Sequence, residues 1–296
     1  MAQGKHLGRM NQDQKLALAL TLKLKDQDKL ATLIGRQYDP SDSIYGIFLT
    51  PEEFFSSFAP SEVEVAKVVS YLTGQGLLVT HVSPTLIDAE GVSAQVEQAF
   101  QVEMHNYISS EGLPAFAPSA EPALPVEIAS VVNSIVGLSH FYNAKHHLVF
   151  KDALSPSIGT GHAGGLSASD IRKAYNLNYT DLNGSGQTMA LFELDGYNAS
   201  DVAVYASDAG ISPAPQLQNV LIDGFSGAAG SGAMEVILDI ELMMAVAPGA
   251  TKIIVYEGPN SDTGLIDTYQ RIATDNSAKQ ISSSWGLNET AAGSSI

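Results

Sequence analysis

Gly232-Ala-Met-Glu235-Val-Ile-Leu-Asp239-Ile-Glu241-Leu-Met-Met-Ala-Val-Ala-Pro248-Gly249-Ala250 is an otherwise apolar stretch in which two carboxylates, Glu235 and Asp239, stand four residues apart. At helical period they share one face. Like charges at that spacing repel, and burying either acid without a partner is costly, so stability gives no reason for the pair. Acid–base chemistry does. The alternative is a solvated outer face of an amphipathic helix, where such acids are ordinary.

Working outward, residues 188–194, 220–222, 252–256 and 280–285 have the composition of strands, and 199–209 and 264–275 have helical spacing. A helix also begins at Ser167-Ala-Ser-Asp170. Strands alternating with helices predict a parallel, doubly wound sheet, whose sites lie at the carboxyl ends of the strands. Glu193 and Trp285 fall at such ends. The glycines at 227, 230 and 232 read as a flexible loop beside the cleft, while Gly184-Ser-Gly186 precedes a strand and so fails as a dinucleotide loop. Paired carboxylates also suit glycosidases, but those need a separation of about 5 Å or more across a sugar.

Residues 1–140 read as a separate α/β unit. Strands are expected at 16–25, 44–49, 76–82 and 104–108, and helices at 26–36, 61–73 and 93–100, with another starting at Thr50-Pro51-Glu52-Glu53. Their recurrence is ferredoxin-like. Between the units, residues 141–165 carry Pro156, several Gly and Ser residues and the pair His146-His147, which marks a linker. Adjacent histidines point apart on regular structure and no acid stands beside them in sequence, so a metal site is not expected there.

Composition bounds the function. The 296 residues suffice for about two domains, and 45% hydrophobic content supplies their cores. A net charge of −17 excludes nucleic acid and anionic membrane as partners and suits a protein working in acid, where self-repulsion falls. With no cysteine, disulfides and thiol nucleophiles are excluded. The run 16–25 alternates and carries lysines, so it reads as a strand and no signal peptide is seen.

Three segments carry a resemblance. Glu235-x-x-x-Asp239 followed by Ala247-Pro248-Gly249-Ala250, the strand ending Phe192-Glu193-Leu-Asp195-Gly196, and Ile281-Ser-Ser-Ser-Trp285-Gly286 together resemble the sedolisin (serine-carboxyl peptidase, kumamolisin-like) family. Phe48-Leu49-Thr50-Pro51-Glu52-Glu53-Phe54 resembles the signature of its activation domain. The resemblance implies a ferredoxin-like α/β prodomain at 1–140, a linker with the activation cleavage at 141–165, and the front part of a subtilisin-like catalytic domain at 166–296. It further implies that Glu235 is the base for a Ser nucleophile, that Asp239 supports it, and that Glu193 and Trp285 extend the hydrogen-bond network.

The family's Gly-Thr-Ser nucleophile and Gly-Asp-Ser-Gly oxyanion motifs are not in this sequence, since Gly159-Thr160 is followed by Gly161. The expectation is therefore a truncated precursor of an acid-acting endopeptidase that by itself does not hydrolyse peptides. Protein or peptide substrates, secretion, and calcium with ligands outside this chain are implied by the same resemblance. A different reading is a non-catalytic prodomain-type inhibitor or binding protein.

Overall fold

A computed structural model of the chain describes residues 4–141, 143–146, 159–161, 164–177 and 182–286. Along the chain these form β1 (Gly4–Arg9), β2 (Lys15–Leu22), α1 (Gln27–Gln37), α2 (Pro51–Phe58), α3 (Glu62–Gly74), β3 (Leu78–Val82), β4 (Leu86–Val92), α4 (Ser93–Phe100), β5 (Met104–Ser109), β6 (Pro114–Pro118), α5 (Val126–Ala129) and β7 (Val132–Val136). There follow β8 (Lys145–His146), α6 (Ala168–Ala174), β9 (Thr188–Glu193), α7 (Ala199–Asp208), β10 (Gln216–Leu221), α8 (Ala233–Val246), β11 (Lys252–Glu257), α9 (Asp262–Asp275), β12 (Gln280–Ser283) and β13 (Trp285–Gly286). The chain divides into two compact units, the first formed mainly by residues up to 143 and the second mainly by those from 144 to 286.

In the first unit the sheet order β3-β4-β2-β7, antiparallel throughout, is the ferredoxin-like arrangement expected from the sequence. A second, three-stranded antiparallel sheet has the order β1-β5-β6. Leu18 and Leu20 of β2, Val68 and Leu72 of α3, Ile87 of β4 and Phe100 of α4 form the core. Two helix starts are fixed by capping boxes. Thr50 and Glu53 exchange hydrogen bonds at α2, and Ser61 and Glu64 do so at α3, each satisfying two otherwise orphaned backbone donors.

Residues 44–49 form no strand, contrary to the sequence expectation. Asp42 accepts the Ile44 amide, the Tyr45 amide returns to the Asp42 carbonyl, and Gly46 takes φ 70°, so the segment curls into turns. Ile47 and Phe48 remain exposed. Conversely, β1, β4, β6 and β7 were not expected. In β4 Ile87 and Ala89 alternate with Asp88 and Glu90, but Asp, Glu, Ala and Gly91 are all residues depleted in strands.

The second unit is built on a parallel sheet of order β10-β11-β9-β12. Val236, Ile240 and Met244 of α8 pack with Val202 of α7 on one face, against Leu191 of β9 and Val255 of β11. Phe192 turns to the other face and stacks on Tyr269 of α9 at 4.2 Å. Helices thus cover both faces, as doubly wound sheets require. The expected strand at 280–285 is broken at Ser284. Up to Ser283 it runs parallel to β9, whereas Trp285 and Gly286 pair antiparallel with β8. The expected strand at 220–222 starts earlier, at Gln216, directly after Pro213 and Pro215. Most of 141–165, including His147 and Pro156, lies outside the described residues.

Candidate active site

α8 is a mostly buried helix, and it carries acids where leucine would be ordinary. Glu235 is 5% exposed and Asp239 9% exposed, so the solvated outer face is excluded. Glu193, at the carboxyl end of β9, and Glu257, its register partner at the end of β11, are both 0% exposed. Along each strand alternate residues face α8, which is why Leu191 and Glu193 both do so, and why Val255 and Glu257 do. Four carboxyl groups are thereby buried near the carboxyl end of the sheet.

Their partners are few. No hydrogen bond joins Glu235 to Asp239, although the helix brings them one turn apart. The Ser284 hydroxyl donates to Asp239 Oδ1 at 2.9 Å, and the Trp285 indole N–H donates to Glu193 Oε2 at 2.7 Å. Glu193 Oε1, Glu235 Oε2, Asp239 Oδ2 and both oxygens of Glu257 are buried without a partner. Among the described residues no Lys or Arg pairs with any of the four. Burial accordingly pushes the Glu193 carboxyl up to about 9, against the pull of the Trp285 N–H and with help from the Asp239 and Glu235 charges. Burial also raises Asp239, a rise opposed by the Ser284 hydroxyl, and it lifts Glu257 to about 7 with the Asp195 charge adding to it. Glu193 is therefore neutral at pH 7.

Asp195 has a different task, which the sequence reading did not assign. It follows β9 and accepts the amides of Gly196 and Gly230 on Oδ1, at 2.7 and 2.9 Å, and that of Gly232 on Oδ2 at 2.6 Å. This ties down the loop read as flexible and places a carboxylate at the start of α8, where the helix dipole favours it. Gly232 is required by contact: a Cβ there would stand 2.5 Å from the Trp285 ring.

His146 is the largest departure from the sequence expectation. It was read as having no acid beside it, yet its Nδ1 stands 3.7 Å from Glu235 Oε2 and its ring meets the Trp285 ring edge-on, centroids 5.6 Å apart. The acid is supplied by the fold, 89 positions along the chain from His146 by their numbers. The segment is pinned just before it by Asn260, whose side chain donates to the Ala144 carbonyl at 2.8 Å and accepts the Ala144 amide at 3.1 Å. Among the described residues no group of three His, Cys, Asp or Glu side chains could hold a metal ion.

Comparison with known proteins now bears on this geometry. Residues 2–141 match the family described as the pro-kumamolisin activation domain. The first unit thus matches a pro-kumamolisin activation domain, and the chain is similar along most of its length to sedolisin-type peptidases. It is 26% identical to xanthomonalisin of Xanthomonas sp. (strain T-22), across 95% of this chain and 36% of that protein. It is 25% identical to sedolisin of Pseudomonas sp. (strain 101), across 92% of this chain and 48% of that protein. To tripeptidyl-peptidase 1 of Rattus norvegicus it is 29% identical, across 86% of this chain and 46% of that protein. The chain thus spans about a third to a half of the length of the curated relatives it matches. The matched activation-domain residues coincide with the ferredoxin-like unit, and the buried acids belong to the parallel-sheet unit.

Proposed function

We propose that this chain is the precursor portion of an acid-acting endopeptidase, in which Glu235 is the general base and acid for a serine supplied elsewhere in the longer protein. The observation that carries the reading is the set of buried carboxyls with no Lys or Arg partner among the described residues, sited at the carboxyl ends of a doubly wound sheet. A purely structural carboxylate has no reason to be buried that way.

In the proposed step Glu235 takes the serine proton as the hydroxyl attacks a peptide carbonyl, and later returns it to the leaving amine. Asp239, one turn on, supports Glu235 from the same helix face. Glu193, neutral and held by Trp285, backs Asp239. A carboxylate base keeps its basic form at a pH where imidazole is already protonated, which accounts for acid chemistry.

Calcium, which the family resemblance implies, finds no three-residue cluster among the described residues, and no step here passes through it. Among the described residues no helix is long and apolar enough to cross a membrane; secretion is part of this proposal.

The activation domain keeps the precursor inactive, and the Lys145–His146 strand covers Glu235 and Trp285 until the 141–165 segment is cut. The deciding experiment uses the full-length protein. Glu235→Gln, nearly isosteric but unable to accept the proton, is expected to cut peptide hydrolysis and self-cleavage by about 10³-fold or more. Wild-type turnover by a variant whose circular dichroism is unchanged would remove Glu235 from the mechanism.

A further inference from the structure

Ser284 sits at the break between β12 and β13. Its neighbour Ser283 still pairs with Phe192 in the parallel ladder, and its other neighbour Trp285 pairs with His146. Released from both ladders, the residue turns its hydroxyl to Asp239 Oδ1 at 2.9 Å, across 45 positions of sequence. Trp285 sends its N–H to Glu193 Oε2 at 2.7 Å. Two consecutive side chains thus grip two neighbouring buried acids.

We propose that Ser284 is a positioning residue for the acid pair: its hydroxyl holds Asp239 in the ionised form and fixes the carboxylate plane one helical turn from Glu235. The proposal rests on the reading of Glu235 as the base, and it assigns a residue that this reading does not use.

The electrostatic case follows from what surrounds Asp239. Glu193 approaches from β9 and Glu235 from its own helix, both carboxyls; His146 on β8 stands against Glu235. The Ser284 hydroxyl leads the groups that favour the charged form of Asp239, ahead of the Glu193 carboxyl, and its 2.9 Å bond to Oδ1 is the one that comes from a group without charge of its own. A buried acid in such company protonates unless a donor favours its charged form. A hydroxyl has a single proton to give, and here it is given to Asp239. That commitment also removes Ser284 from use as a nucleophile. Were Asp239 to become neutral, Glu235 would lose its charged neighbour at the acid end of the range.

The test needs no catalysis and uses the chain as it stands. Side-chain carboxyl resonances of ¹³C-labelled protein are followed against pH, with Asp239 assigned by its loss in Asp239→Asn. Ser284→Ala is expected to raise the pH at which Asp239 titrates by about one unit, the equivalent of a tenfold loss from one charge-assisted hydrogen bond. Ser284→Thr, which keeps the hydroxyl, is expected to restore the wild-type curve. If Ala loosens the strand break, the Thr and Val variants, alike in shape and differing in the hydroxyl, make the same comparison.

A shift below about 0.2 unit in the hydroxyl-less variants overturns the proposal. So does an equal shift in the Thr variant, which would assign the effect to packing. In the full-length enzyme the same substitution is expected to move the acid limb of the pH–rate profile upward, and Ser284→Thr to return it. Glu235→Gln removes the plateau itself, so failure of the base assignment and failure of the Ser284 assignment give different results.

Discussion

Glu97 in the first unit and Glu257 in the second are both buried glutamates, 8% and 0% exposed, yet their surroundings move them in opposite directions. Glu97 is met by the Arg9 guanidinium, 2.6 Å from its Oε2, and by the Met104 amide on Oε1 at 2.8 Å, and the Arg9 hydrogen bond leads in holding it below the usual carboxylate range. Glu257 has no hydrogen bond on either oxygen and is lifted to about 7. A buried acid supplied with a cation and an amide is part of the scaffold. Buried acids without them favour the protonated form. The activation domain and the parallel-sheet unit therefore answer pH with opposite sign.

The largest expected effect lies in the second unit. Glu193 and Glu257 have folded values raised to about 9 and about 7. Their contribution is full below the ordinary unfolded carboxylate value near pH 4.5 and is lost as pH rises toward those folded values. For Glu257 the shift corresponds to about 3 kcal/mol between pH 4.5 and pH 8. Glu257→Gln keeps the shape and abolishes the titration. Thermal melts are expected to give the variant an advantage of that order at pH 8 and none at pH 4.5; a gap that does not change with pH would break the contrast with Glu97.

The next effect is in the first unit. Arg9→Ala leaves Glu97 buried without its cation and is expected to lower stability at pH 7, by less than the loss from the Glu257 site because the Arg9 side chain is itself half exposed. Because the folded value of Glu97 is depressed, its stabilisation is present above the unfolded value and lost as pH falls through the folded one. The wild-type and Arg9→Ala melting temperatures should therefore converge as pH falls through the lowered folded value of Glu97. An equal cost at pH 7 and below that folded value would mean that Arg9 acts by packing alone, and Glu97 would cease to be the opposite of Glu257.

The same contrast governs what the sequence makes legible. Local rules reach local structure: Thr50 with Glu53, Ser61 with Glu64, and Ser167 with Asp170 announce helix starts, and all three form capping boxes. Spacing on one helix likewise finds Glu235 and Asp239. Strands built from residues depleted in strands, such as β4, are missed, and an apolar run such as 44–49 is overread because Asp42 and Gly46 decide its course. Ser284, Asp195, Glu257 and His146 carry no such signal. Their roles arise from contacts between elements far apart in sequence, made when β9, β11 and α8 assemble, and no periodicity encodes them.

The smallest expected effect concerns His146, which belongs by sequence to the segment after the activation domain and by contact to the acids. Trp285 is the single tryptophan of the chain, so its emission reports on this place alone. The His146 ring stands edge-on to it, and His146 pairs with it in the β8–β13 bridge. Since His146 is partly exposed and makes no hydrogen bond through Nδ1, His146→Ala is expected to change stability by no more than about 0.5 kcal/mol. It should nevertheless open the indole to a soluble quencher, seen as a steeper acrylamide quenching slope. Cutting the chain within 147–158 should steepen the slope in the same way, because release of the Lys145–His146 strand uncovers the same ring. If neither the substitution nor the cut changes quenching, the strand does not cover Trp285, and the acids of the second unit owe their isolation from cations to the sheet and helix alone.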